Sequence, residues 1–413
     1  MNDADVDVVV TGLGTVSCQG SGTARLWRGM RAATSAPTRV PDPHARMPHP
    51  LMYLVPEVDL PAGPPDHQGL ELGRCSRLAL AAAREAVADA GLGGPDGLTD
   101  PAAVDPSRVA VVIGSGMGDA ELHERRRAGA AAAGDRWAPL FPVASAVAGW
   151  LGARGAGTSV SNACSAGGFA LSMAADLIRC GEADVVVAGG ADAYSRVGLA
   201  AFNAMGAIDP ERCRPFDADR RGAVFGEGAA VLVLESAAHA RRRGARRGYA
   251  RLAGAGWSCD AHHETAPEPE GEQIGRAMRR ALAEAGAKGG DIGCVVPHGT
   301  GTELNDVVES RVLGEVLGGP AGGPPLYSLK ALLGHTGGAA AAFGAVAAAL
   351  VLHHRTVPPN VPVDRLDPRC PVRLPAAEGR LEAPDVLVNA YAFGGNNVSL
   401  VFGPAPELGE AAA

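Results

Sequence analysis

Six runs of β-branched and other apolar residues recur along the chain: "VDVVVTGLG", "RVAVVIGSG", "ADVVVAGGAD", "AAVLVLES", "IGCVVPHGTG" and "VLVNAYAFGG". Ala-rich stretches of helical spacing separate most of them. Strands that are apolar almost end to end have no solvent face, so the sheet they build must be covered on both sides. Helices that alternate with strands in sequence supply the cover, and the pattern predicts an α/β architecture. The segment "RCSRLALAAAREAVADAGLGG" reads as one such helix, ended by glycine. Several runs pass directly into Gly-rich turns, and strand ends are where α/β proteins assemble their sites. A polar loop, "SCDAHHETAPEPEGE", falls near the middle, with strand and helix units on either side. It suggests two halves, 1–250 and 251–413.

Bulk properties exclude several classes. A formal net charge of −8 over 413 residues argues against nucleic acid as the main partner. The longest apolar tract, "GGAAAAFGAVAAALVL", is short for a membrane span and reads as a buried core helix, so no membrane partner is expected. Eight cysteines lie scattered with no CxxC, which suits reduced thiols in a cytoplasmic protein. The acidic start runs straight into a strand-like segment, and no signal peptide is expected.

One of those cysteines stands in unusual company. Cys164 sits in "SNACSAGG", after an apolar run and before "GGFALSMAADLIRC", whose apolar residues recur at helical spacing. Small neighbours leave a sulfur accessible, and a helix amino end favours a thiolate. On this stretch alone an inert core cysteine outweighs a nucleophile, since free cysteine is among the most buried residue types. "VVPHGTGTELNDVVES" places His298 at a strand end, then the hydroxyls of Thr300 and Thr302 on a glycine-jointed loop, then Asp306 and Glu309 at the start of a helix. Such a histidine is poised to hydrogen-bond. "YSLKALLGHTGGAAAAFG" adds Lys330 and His335; a buried ammonium needs a partner, and Glu309 is a candidate. In "NAYAFGGNNVSLVFG" a strand meets the turn Phe393, Gly394, Gly395, whose backbone donors could approach a carbonyl closely. One cysteine with two distant histidines is a pattern for thiolate chemistry on acyl groups, although spacing alone does not assemble the triad.

Other motifs fall short. "TGLGTVSCQGSG" has Ser17 where a dinucleotide fingerprint needs its third glycine, and no GxxxxGK[ST] phosphate loop occurs. Asp260, His262, His263 and Glu264 in "DAHHET" could ligate a metal, but with no fourth ligand at a familiar spacing they read as solvent-facing or pocket-lining. No metal site is expected.

At these residues the sequence resembles the β-ketoacyl-acyl carrier protein synthase family of fatty acid and polyketide assembly. The resemblance runs through "VVVTGLGTVSCQG", "NACSAGG", "CRPFDADRRGAVFGEGAAVLVLE", "PHGTGTELND", "SLKALLGHTGGA" and "NAYAFGGNNVSLVF". It implies a thiolase-like fold, two pseudo-repeated α/β halves in a five-layered α-β-α-β-α sandwich. It implies that Cys164 is acylated from a carrier-protein thioester, with the N–H groups of Cys164 and Phe393 holding the oxyanion. His298 and His335 would bind the malonyl carbonyl and stabilise the enolate left by decarboxylation. Lys330 would be a supporting charge paired with Glu309, and Thr300 and Thr302 would bond the phosphopantetheine arm. That arm belongs to the acyl carrier protein substrate, so no dissociable cofactor is implied. The partners implied are an acidic acyl carrier protein and a second ketosynthase-like subunit, identical or related. Arg74 with Arg77, and the run Arg125, Arg126, Arg127, are candidates for carrier docking.

The sequence also departs from the family pattern. "RRGAV" puts Ala223 where the "RDG" element is usually followed by phenylalanine, and this should open the pocket. Asn162 replaces a common threonine, Pro297 stands where alanine often precedes "HGT", and Gly344 stands where bacterial fatty acid enzymes carry glutamate. "AFGGNN" is similar to synthases of specialised type II systems. The implied function is a discrete decarboxylating ketosynthase of specialised biosynthesis. Two alternatives remain: a same-fold acyltransferase or cyclising enzyme, and a non-catalytic partner resembling chain-length factors.

Overall fold

The computed structural model describes residues 7–57, 66–94, 96–98, 104–128, 139–318 and 323–408. Nine strands form the path of the main sheet: β1 Val8–Ser17, β2 Val109–Gly114, β3 Gly157–Val160, β4 Val185–Asp192, β5 Gly228–Ser236, β6 Ala250–Cys259, β7 Ile292–Val296, β8 Asp385–Ala392 and β9 Asn396–Gly403. Their spatial order is β3-β2-β4-β5-β1-β6-β9-β8-β7. The first five strands, numbered along the chain, therefore lie in the order 3-2-4-5-1. Strands β2, β3 and β4 run parallel, while β5 is antiparallel to both neighbours.

The remaining strands repeat that plan in reverse across the sheet. Strand β9 is antiparallel to β6 and β8, and β8 is parallel to β7. Beyond β7, Leu326 bridges Val295 in parallel sense and occupies the place of the missing third strand. Among the described residues, the strands of the two groups pair at Val9 with Arg251 and at Val10 with Ala250.

Helices fill the layers the apolar strands require. Between the groups lie α2 Ala166–Arg179 and α6 Ala340–His354, against each other and against both sheets. Every residue of Ala340–Leu352 is buried, which is why this helix is apolar all round rather than amphipathic. Outside the first group lies α1 Arg74–Asp89; outside the second lie α4 Glu272–Ala285 and α5 Glu303–Leu317. The layers alternate helix, sheet, helix, sheet, helix. Close approach depends on missing side chains: a Cβ on Gly14 of β1 would stand 2.0 Å from the Ala82 carbonyl of α1. The core is thus dense Val, Ala and Leu, and a fully buried Leu or Phe such as Leu13 or Phe343 contributes about 1.5–3 kcal/mol.

Candidate active site

Cys164 follows β3 through one tight turn. Ala163 adopts φ +48°, a left-handed conformation that costs a residue with a side chain, and residues 163–165 form a single 3-10 turn before α2 begins. Ser165 locks the bend: its N–H and Oγ both donate to the Asn162 carbonyl, at 3.2 and 2.9 Å. Gly167 lets α2 lie against a second glycine turn, since a Cβ there would stand 2.7 Å from the Gly338 carbonyl. The cysteine is thereby projected from a strained elbow rather than packed as core.

His298 ends the strand–loop passage after β7. Glu309 of α5 holds this loop, its two oxygens accepting the N–H groups of His298 and Gly299, each at 2.7 Å. Asp306 accepts from Thr300 at 3.1 Å, Gly301 at 3.3 Å and the Phe216 N–H at 2.8 Å, and lies 3.4 Å from the Arg220 guanidinium. His335 is tied to the segment 224–226, donating its N–H to the Val224 carbonyl and accepting from Gly226. The two imidazoles meet edge to face with centroids 5.7 Å apart.

Both rings are held neutral. Burial pushes each pKa well below the ordinary histidine value, and the Lys330 ammonium adds to the effect. Nδ1 of each ring is buried without a hydrogen-bond partner among the described residues. Lys330 donates to the His298 carbonyl. Among the described residues it makes no direct ion pair with Glu309, contrary to the expected pairing, because the Glu309 oxygens are taken by backbone N–H groups. Glu309 still acts on Lys330 at a distance: burial lowers the lysine pKa and Glu309 opposes it.

The thiol departs from expectation. Burial pushes the Cys164 pKa up to about 12, against the pull of Lys330 and with Asp192 adding to the rise. The helix amino end does not produce a resting thiolate here, because water removed from the sulfur outweighs the dipole. Asp192 escaped the sequence reading, although it closes the strand "ADVVVAGGAD". It accepts from the N–H of Gly116 and Met117, each at 2.9 Å, and from Ser115 Oγ at 2.8 Å.

Cys164, His298, His335, Phe393, Thr300 and Thr302 line one cavity of about 510 Å³. Ala223, Gly394 and Gly395 line it as well, whereas Asn162 does not and serves only the turn. In the turn after β8, the Gly394 N–H donates to the Glu264 carbonyl and that of Gly395 to Ala392. Asp260 accepts from Asn397 at 2.6 Å, and His263 Nδ1 accepts from the Thr265 and Ala266 N–H groups at 3.0 and 3.1 Å. The "DAHHET" loop is thus a cavity wall. An aromatic stack also escaped notice: Phe225 lies against His335 at 5.3 Å and against Phe202 of α3 Arg196–Ala204, which stacks on Phe393 at 5.3 Å. Phe225 stands two residues after Ala223 and packs against two cavity-lining rings, but does not itself line the cavity.

The arginines expected at a docking face have different environments. Arg74 turns inward, its side chain 19% exposed, bonded to Glu227 at 2.6 and 2.9 Å and to the Val55 carbonyl at 3.1 Å. Its charge is spent inside the fold. Arg125 pairs with Glu71 at 2.7 Å, Arg77 and Arg126 are half-buried, and Arg127 is exposed. None of them lines the cavity.

A cysteine and two neutral histidines around one pocket of a five-layered α/β fold define a thiol-dependent acyl-transfer class. Residues 5–240 match the family description "Beta-ketoacyl synthase, N-terminal domain", and residues 249–364 match "Beta-ketoacyl synthase, C-terminal domain". The chain belongs to the β-ketoacyl synthase family, condensing enzymes of the acyltransferase type. Nodulation protein E of Rhizobium meliloti strain 1021 is 36% identical, over 96% of this chain and 99% of that protein. The tetracenomycin polyketide synthase ketoacyl synthase alpha subunit of Streptomyces glaucescens is 34% identical, over 95% and 96%. A solved structure described as a type II PKS acyl-carrier protein in complex with its ketosynthase, bound to the hexaketide, superposes with a TM-score of 0.84 at 28% identity, covering 97% and 99%.

Proposed function

We propose that this chain is a discrete ketosynthase of specialised, polyketide- or polyene-type biosynthesis, joining a Cys164-bound acyl group to a malonyl unit by decarboxylative Claisen condensation. The observation that carries this reading is the convergence of Cys164, His298, His335 and Phe393 on one cavity with both imidazoles neutral. In the first half-reaction the Cys164 thiol passes its proton to a neighbouring imidazole and attacks the carrier thioester. The N–H groups of Cys164 and Phe393 hold the tetrahedral oxyanion, and the carrier thiol leaves with a proton. In the second, the N–H groups of His298 and His335 bond the malonyl carbonyl. Loss of carbon dioxide leaves an enolate there, which attacks the acyl carbonyl; the C–S bond breaks and the Cys164 thiolate takes up a proton from solvent.

The partner is an acidic acyl carrier protein, whose phosphopantetheine arm passes Thr300 and Thr302, so the enzyme needs no cofactor of its own. A second ketosynthase-like subunit, identical or related, completes the assembly, as the alpha-subunit description of the Streptomyces relative suggests. A chain-length-factor role is disfavoured by the intact cysteine and histidine set. Ala223 favours a second reading, transfer or cyclisation without decarboxylation, because it widens the wall beside the nucleophile.

The test is turnover of acylated enzyme with malonyl-carrier protein, following carbon dioxide and product. Stoichiometric gas release with a β-ketoacyl product bears the proposal out. Release of the acyl group to another acceptor without carbon dioxide transfers it to the second reading.

A further inference from the structure

Two adjacent arginines in "RRG" meet opposite fates. Arg220 is a clamp, its side chain 1% exposed, held by Asp367 at 2.6 Å and by the Thr302 and Glu303 carbonyls at 3.2 and 3.0 Å. Arg221 takes the place of the acid in the family's "RDG" element. Its backbone N–H donates to Asp209 at 3.1 Å, yet its side chain is exposed and, among the described residues, makes no ion pair or hydrogen bond. Other cations nearby are spoken for: Arg212 pairs with Asp364 at 2.8 Å, Arg365 with Asp219 at 3.2 Å and Arg369 with Glu303 at 3.0 Å. Arg221 keeps its charge for something outside the chain, and it lines the reactive cavity.

Its position is fixed. The Gly222 N–H donates to the Gly301 carbonyl at 3.0 Å, which seats Arg221 beside Thr300 and Thr302, whose hydroxyls lie 2.9 Å apart. Gly222 has φ +142°, and a Cβ there would stand 2.3 Å from the Ala207 carbonyl, so this close seat requires glycine. Met205 and Leu304, 48% and 59% exposed, line the same cavity. The cavity lining therefore holds, among the described residues, a guanidinium without a partner together with two exposed apolar side chains, two hydroxyls and the nucleophile. That set of groups, with Arg221 exposed and Thr300 buried, suits a flexible arm whose thiol end reaches the sulfur and whose anionic end meets the guanidinium.

We infer that Arg221 receives the phosphate of the carrier protein's phosphopantetheine arm. The inference rests on the function proposed above for the same cavity. A guanidinium fork matches phosphate oxygens in pairs, and a charge-assisted contact of this kind is worth about tenfold or more in affinity.

Calorimetry with 4′-phosphopantetheine and with pantetheine lacking the phosphate tests it without relying on acylation. The wild-type protein is expected to bind the phosphorylated arm about tenfold more tightly, and Arg221→Ala to bind the two alike, with Arg221→Lys restoring part of the difference. Equal wild-type affinities, or a variant that weakens both ligands equally, overturn the inference. Acylation kinetics then separate the sources of phosphate. A rise in KM for carrier-bound thioester with Arg221→Ala supports the assignment; a rise confined to the coenzyme A thioester overturns it. A wild-type enzyme that distinguishes the two arms yet is acylated by no donor refutes the proposed function instead.

Discussion

Cys164 carries a proton at neutral pH because burial costs a thiolate more than Lys330 returns in attraction. A raised acid pKa keeps the protonated form over a wider pH range, so the thiolate fraction grows only as pH climbs. Alkylation of Cys164 by iodoacetamide is therefore expected to accelerate continuously beyond pH 9.0, the ordinary thiol value. A rate plateau near neutrality, read by mass spectrometry of the modified peptide, contradicts this. Activation then depends on the proton transfer proposed above taking place as the sulfur attacks, because burial lowers the basicity of both rings. At Ala223 the prediction concerns space. Ala223→Phe introduces an aromatic ring beside the Phe202, Phe225 and Phe393 stack, and overpacking of this kind costs about 1–3 kcal/mol. Competition between short and bulky acyl donors should shift toward the short ones; unchanged selectivity refutes the role given to this residue. The nucleophile, both histidines and the Phe393 turn were legible because each sits in a motif with its own local chemistry. Asp192 and Phe225 were not, since a carboxylate at a strand end and an aromatic in a strand look structural until distant segments meet.

Loops carry the reactive side chains, and single carboxylates on helices hold the loops. Asp306 on α5 gathers three backbone N–H groups and the Arg220 guanidinium, all out of water. Removing one partner from such a cluster leaves buried donors unpaired and costs about 3 kcal/mol or more. Asp306→Ala is thus expected to lower the denaturation midpoint and to impair acylation through a loosened "HGTGT" loop. A variant of unchanged stability contradicts the clamp. The helices were readable from alanine-rich periodicity, including α6, whose uniform burial explains its lack of a polar face. Strand β6 was harder to read, because "ARLAGAGWSC" alternates buried and half-buried positions with small residues and carries little β-branched signal. Strand β3, with half of its four residues exposed at the sheet edge, is too short to announce itself.

At the scale of the whole molecule, one topological plan is used twice, in reversed order across the sheet, and the cavity forms where the two groups' loops converge. Cys164 comes from the first group; His298, His335 and Phe393 come from the second. The alternation of strands and helices revealed the class of fold, but the reversed order depends on long-range pairings such as β1 with β6, which no local spacing encodes. The central claim is that this shared cavity transfers acyl groups through one sulfur. Intact-protein mass spectrometry after incubation with a panel of acyl-carrier thioesters measures it most directly, on wild-type protein and on Cys164→Ala. The expected result is a single acyl increment mapped to Cys164 and absent from the variant, with circular dichroism unchanged. An increment that persists in Cys164→Ala, or that maps to another residue, contradicts the account.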